Sequence, residues 1–341
     1  MSGNLKWNAA AVLLAICALS ASLPASAQYQ EAMPADPDKA ANPAVQVMPE
    51  PAMAPAMEPE PPKPVLPPYK KKIVASAFNI DAPGQVEDIN DIANGLPREL
   101  LDRLQRSGKF LVRRADSFLG TGVRGGTPSL KMIRELADTN DSQFVLSGTV
   151  RNAERSVEKK YLGLWNTNQR DIDIELTLYD GSSGSLIATH RVEKRVKDDV
   201  AVGREKTFGS KSFFSTQLGK AIDSMLDELA DEVDTDLSQI PLSAKVLRVS
   251  NGQVMLDAGA SSAIVAGDVL AVYRVKNEMP LTTAQQAVFG MPEVRVGTVA
   301  IAQVQPLFSV GQLSADARSG DVRPGDVVRS EPRLETDAKL Q

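Results

Sequence analysis

Apolar residues between Phe213 and Leu237 recur at steps of three and four: Phe214, Leu218, Ile222, Met225, Leu229 and Val233. That spacing predicts one α-helix with Lys220, Asp223, Asp227, Glu228 and Asp231 around the rest of its surface. Ile89, Ile92, Ala93, Leu96, Leu100 and Leu104 repeat the pattern, with Gly95 and Pro97 predicting a kink or a restart. A further helix opens at Thr127-Pro128-Ser129 and runs through Met132, Ile133, Leu136 and Ala137. Asp171 to Tyr179 alternates instead, with Ile172, Ile174, Leu176 and Leu178 on one side, so it reads as a half-buried strand.

Further strands are expected at Ile73–Phe78, Phe110–Arg114, Phe144–Val150 and Leu186–Val196, the last joined to the alternating strand by the turn Gly181–Gly184. The order β-α-β-α-β-β-β-α predicts an α+β domain: a mixed sheet with helices on one face. Beyond Pro241 no helix pattern is read. Lys245–Val249, Asn251-Gly252 and Gln253–Asp257 form a hairpin signal. Val265-Ala266-Gly267-Asp268-Val269 is echoed by Val322-Arg323-Pro324-Gly325-Asp326-Val327, each a tight turn before a strand. Short strands and glycine turns predict a small, closed or nearly closed β-barrel. The expected divisions are a signal peptide at 1–27, a Pro-rich disordered tether at 28–68, the α/β domain at 69–240, the barrel at 241–333 and a polar tail at 334–341.

The N-terminus sets the compartment. Lys6, an apolar run from Ala9 to Leu23 and Ala25-Ser26-Ala27 read as a secretory signal, cut between Ala27 and Gln28. The one cysteine, Cys17, leaves with it; Ile16 before it does not suit a lipobox. The mature chain then has no disulfide, no thiolate nucleophile and no Cys-ligated zinc, which fits an exported protein that folds on its core alone. No second segment is apolar enough to span a membrane. Twelve of the 22 prolines fall between Pro34 and Pro68, so that stretch is expected to be extended.

A net charge of −5 and a 5% aromatic share offer neither phosphate neutralisation nor stacking platforms, which argues against nucleic acid. Catalysis lacks its parts. The single histidine, His190, sits in a strand, where it is more often satisfied than catalytic. No G-x-S-x-G, H-E-x-x-H or EF-hand loop is present. Gly120, Gly122 and Gly125 satisfy G-x-G-x-x-G, but the helix should open only at Thr127 or Pro128, too late for a dinucleotide. The acids Asp227, Glu228, Asp231, Glu232, Asp234 and Asp236 read as a solvated helix face. No catalytic, cofactor or metal residue is therefore expected. The candidate partner contacts are Tyr161, Leu162, Leu164 and Trp165, on the connection before the alternating strand, with Phe289 and Met291 on a second loop.

The segments FVLSGTV, LTLYDGSSG, FFSTQLGKAID and GDVLAVYR, in this order and spacing, resemble the middle and C-terminal domains of the flagellar assembly protein T family, over roughly Lys72 to Arg329. The resemblance implies a middle domain like the N-terminal domain of TolB, followed by an SH3-like barrel. It further implies a non-enzymatic periplasmic protein near the outer membrane, in the H ring around the LP ring of the flagellar basal body. Such a protein would self-associate in a ring, contact LP-ring proteins and support stator-associated proteins and motility. The family's typical N-terminal domain is not matched; the Pro-rich stretch stands in its place. Where members carry a cysteine before the barrel, this chain has Gln239-Ile240-Pro241. The alternative is an envelope regulator or scaffold for a cell-wall or outer-membrane machine.

Overall fold

The computed structural model describes residues 64–65, 68–119, 128–160, 165–197, 205–275, 281–314 and 322–334. The signal cleavage site at Ala27 and Gln28, the Gly120–Gly126 loop, and Tyr161, Leu162 and Leu164 lie outside them. Contacts divide the chain into Met1–Pro59, also outside them, and Glu60–Gln341. Among the described residues no helix is long and apolar enough to cross a membrane.

In chain order the elements begin with β1 (Pro64–Val65), β2 (Lys71–Ala77), β3 (Asn79–Ile80), α1 (Ile92–Arg106), β4 (Phe110–Phe118) and α2 (Leu130–Thr139). They continue with β5 (Phe144–Lys160), β6 (Trp165–Asp180), β7 (Leu186–Lys197), α3 (Lys211–Phe214) and α4 (Gln217–Ser238). The strands β2, β4, β5, β6 and β7 form one mixed sheet in the order β4-β2-β5-β6-β7, with β3 beside β5. β2 runs parallel to β4 and β5, while β5, β6 and β7 are antiparallel.

The helices do not share one face, as the sequence reading expected. α1 and α4 pack on one side, where Ile172, Ile174, Leu176 and Leu178 are buried. α2 packs on the other through Ile133 and Ala137 against Val74, Val145 and Tyr179. Handedness is the reason. The β2-α1-β4 crossover moves one way along the sheet and β4-α2-β5 moves back, so two right-handed crossovers must use opposite faces.

Pro97 lies inside α1 without ending it. Proline cannot donate to the carbonyl four residues back. That carbonyl, Ala93 O, instead accepts the Phe78 N–H at 2.8 Å, which ties the helix to the end of β2. The expected helix over Phe213–Leu237 is two. Thr216 caps α4 by accepting the Gly219 N–H at 2.9 Å, and α3 stops before it. A Cβ on Gly219 would lie 2.1 Å from Phe213 O, so the sharp break requires glycine. Phe214 is consequently only half-buried, outside the buried stripe of α4. The acids of α4 are not merely solvated: Asp223 and Asp227 pair with Arg103, Asp234 with Lys109, and Asp236 with His190.

The remaining elements are β8 (Ser243–Ser250), β9 (Gln253–Leu256), β10 (Val269–Val275), α5 (Thr283–Phe289), β11 (Glu293–Val304), β12 (Ser309–Leu313), β13 (Val327–Ser330) and β14 (Arg333–Leu334). Six strands close into an antiparallel barrel, β10-β11-β12-β9-β8-β13. It is built twice from one unit. In the first echo the Val265 N–H donates to Asp268 Oδ2 at 2.9 Å; in the second the Arg323 N–H donates to Asp326 Oδ2 at 2.8 Å. Gly267 and Gly325 have φ of 95° and 91°, left-handed backbone that favours glycine. Gly267 N–H bonds Ile301 O, and the Ile301 N–H bonds Asp268 O; Gly325, Val246 and Asp326 repeat the exchange. The ladders even bulge at matching places, after Ile301 and after Val246. Thus β8-β9-β10 and β11-β12-β13 are two copies of one β-β-turn-β unit, and α5 lies on the link between them.

α5 forms where the sequence predicts a loop. Its signal is a capping box, Thr282 with Gln285, too short to show a period. The barrel also grips the sheet. Tyr69, just before β2, is buried in the barrel core. Lys72 Nζ donates to Asp141 Oδ2 at 2.8 Å and to Asp257 O at 2.6 Å. Lys245 pairs with Asp138. Pro64–Val65, at the end of the Pro-rich stretch, pairs with Arg333–Leu334.

Candidate functional site

The sheet face that α2 covers only in part is ordered by rows of cross-strand neighbours. Val145, Tyr179 and Leu186 form an apolar row. Two residues along, Ser147, Thr177 and Thr189 form a row of hydroxyls. The next row is Thr149, Glu175 and Arg191. Alternation puts every second residue on this face, and the chain grows more polar with each step away from α2.

Over these rows lies a cleft of about 340 Å³. Leu130 and Ile133 of α2 and Leu119 wall its apolar end; Ala287 and Val288 of α5 also line it. Gly184 lets the β6–β7 turn pass beneath α2: its φ is 77° and a Cβ would lie 2.8 Å from Leu130 O. At the polar end Arg151 Nη2 donates to Glu175 Oε1 at 2.7 Å, and its Nε donates to Glu175 Oε2 at 2.9 Å. That pair holds the Arg151 guanidinium above its ordinary range, chiefly through the hydrogen bond to Glu175. The cleft thus has one cation and one carboxylate bound to each other. No histidine or cysteine is among its lining residues. Among the described residues no group of three or more His, Cys, Asp or Glu could hold a metal.

The predicted contact residues fall in two places. Trp165 is not on a loop: it begins β6 and pairs with Lys160 at the far end of a long hairpin. β7 reaches only Gln169, so among the described residues 157–160 and 165–168 pair only with each other, as an arm beyond the sheet. Phe289 ends α5, next to Val288, and is 76% exposed; Met291 follows, half-buried. His190 is on β7, outside the cleft, with Nε2 2.6 Å from Asp236 Oδ2. The cleft itself escaped the sequence reading. Its lining comes from six elements, and the missing signal was α5.

Residues 66–204 match the model of a family described as flagellar assembly protein T, middle domain. No curated protein matches the chain significantly. Among solved structures, the chain is similar to a hypothetical protein from Chlamydia trachomatis, at 17% identity and a TM-score of 0.37, covering 49% of this chain and 98% of that one. The PelC dodecamer from Paraburkholderia phytofirmans gives 14% identity and a TM-score of 0.29, covering 51% and 91%. A lipoprotein from Neisseria meningitidis gives 14% and 0.26, covering 47% and 99%.

Proposed function

We propose, from the match of residues 66–204 to the flagellar assembly protein T middle-domain family, that this protein is a non-enzymatic periplasmic component of flagellar assembly. In this reading it joins the outer H ring around the LP ring of the basal body, near the outer membrane, and supports stator-associated assembly and motility. The family match is the observation that carries the proposal. The signal-like N-terminus supports export. The cleft supports a binding role, because its lining cation and carboxylate, Arg151 and Glu175, are bound to each other.

Partner contact is assigned to Tyr161, Leu162, Leu164 and Trp165 and, at the end of α5, to Phe289 and Met291. Aromatic side chains are frequent energetic centres of protein contacts. The first test is a clean deletion strain, scored by swimming in soft agar and by electron microscopy of isolated basal bodies. The expected result is lost swimming with a missing or thinner outer ring. Normal swimming with normal rings would overturn the reading and leave the envelope-scaffold alternative. Trp165→Ala is expected to weaken capture by isolated basal bodies while the melting temperature holds. A large drop in melting temperature would place Trp165 in packing rather than in contact.

A further inference from the structure

We infer that the cleft between the sheet, α2 and α5 is a binding site for a single-chain amphiphile with an uncharged, hydroxyl-bearing head. The volume, about 340 Å³, falls in the ligand-pocket range of roughly 300–1,000 Å³. It is more than twice the cavity of ~150 Å³ that admits benzene.

The lining dictates the orientation. Leu119, Leu130 and Ile133 surround the end beside α2, an apolar wall that favours a hydrocarbon tail. Ser147, Thr177 and Thr189 cross the floor in a single row on three adjacent strands. Hydroxyls both donate and accept, so that row matches a head of the same kind. A charged head meets no excess of opposite charge, because Arg151 and Glu175 are paired to each other. Burying it there would leave its desolvation unmatched. Entry is open beside α5, where Val288 is 66% exposed and Leu186 48% exposed. The site stands on the cleft alone and does not depend on the flagellar reading.

The test uses the full mature chain and the neutral dye N-phenylnaphthylamine, followed by its fluorescence. Binding is expected to saturate at one dye per chain. Monolaurin should displace the dye at about tenfold lower concentration than laurate or dodecylamine, the worth of a head-group hydrogen bond or two. Val288→Glu with Leu186→Glu, both at exposed positions, should raise the dye concentration needed for half-saturation at least about tenfold. Thr177→Val should keep dye binding and lose the preference for monolaurin. Ile133→Trp, which fills the apolar end, should abolish binding; if it fails to fold, the two exposed-site changes still decide. Absence of saturable dye binding, equal displacement by laurate, or wild-type affinity in the folded Val288→Glu, Leu186→Glu chain would each overturn the inference.

Discussion

Arg170 is fully buried, yet every direction of its guanidinium has an acceptor. Nη1 donates to Asp88 Oδ2 at 2.8 Å, Nη2 to Gln85 O at 2.5 Å, and Nε to Ala153 O at 3.1 Å. The pair pins the segment before α1 onto β6. Asp88→Ala leaves a buried guanidinium without its counter-charge, and is expected to cost about 3–5 kcal/mol in urea unfolding. Lys71 tests the same physics with pH. Burial pulls its amine down to about 8; Asp234 opposes this and Lys109 adds to it. An unfolded lysine near the ordinary 10.5 binds the proton that the folded one has released. Stability should therefore rise with pH between 8 and 10.5, and Lys71→Met should remove that part of the slope. Melts of the two chains at matched pH give the difference. Neither role is visible in sequence, since nothing there distinguishes Arg170 or Lys71 from surface cations.

Elements were legible where a period ran long enough. β6 and α4 show theirs over many residues, and both occur where the period predicts, though β6 begins earlier, at Trp165, and α4 only after the break before Thr216. α5 has seven residues and none buried, so no period could reveal it. The strands β5 and β6 run farther than their apolar cores because backbone pairing continues through charged residues. Close packing adds constraints that spacing does not carry. A Cβ on Gly148 of β5 would lie 2.3 Å from the Phe78 ring. Gly148→Ala is expected to destabilise by about 1–3 kcal/mol, the cost of overpacking. Gly108→Ala is a useful contrast, since nothing lies within 4 Å of its Cβ. Its φ of 74° alone should set a smaller penalty, measured in the same melts.

Across the molecule, the sheet and barrel share residues rather than merely touching. Tyr69 belongs by sequence to the sheet and by burial to the barrel core, and Lys72 bonds both. Tyr69→Ala should therefore cost about 3 kcal/mol and destabilise both parts together. A single urea transition, seen alike by fluorescence and far-UV circular dichroism, is the expected observation; two separated transitions would show independent domains. The duplicated barrel has its own sequence trace, the two Gly-Asp turns, because each turn needs the same left-handed glycine and the same capping carboxylate.

Local chemistry is what the sequence by itself determined: periods of two and three to four, glycine turns, the order of strands and helices, and a family-level resemblance. These depend on residues close along the chain. The tertiary structure alone decided which face each helix covers, which cations are buried and which six elements meet around the cleft. Such outcomes depend on crossover direction and on contacts between residues far apart in the chain, as Lys72 and Asp257 are, 185 positions from each other. No local pattern encodes them.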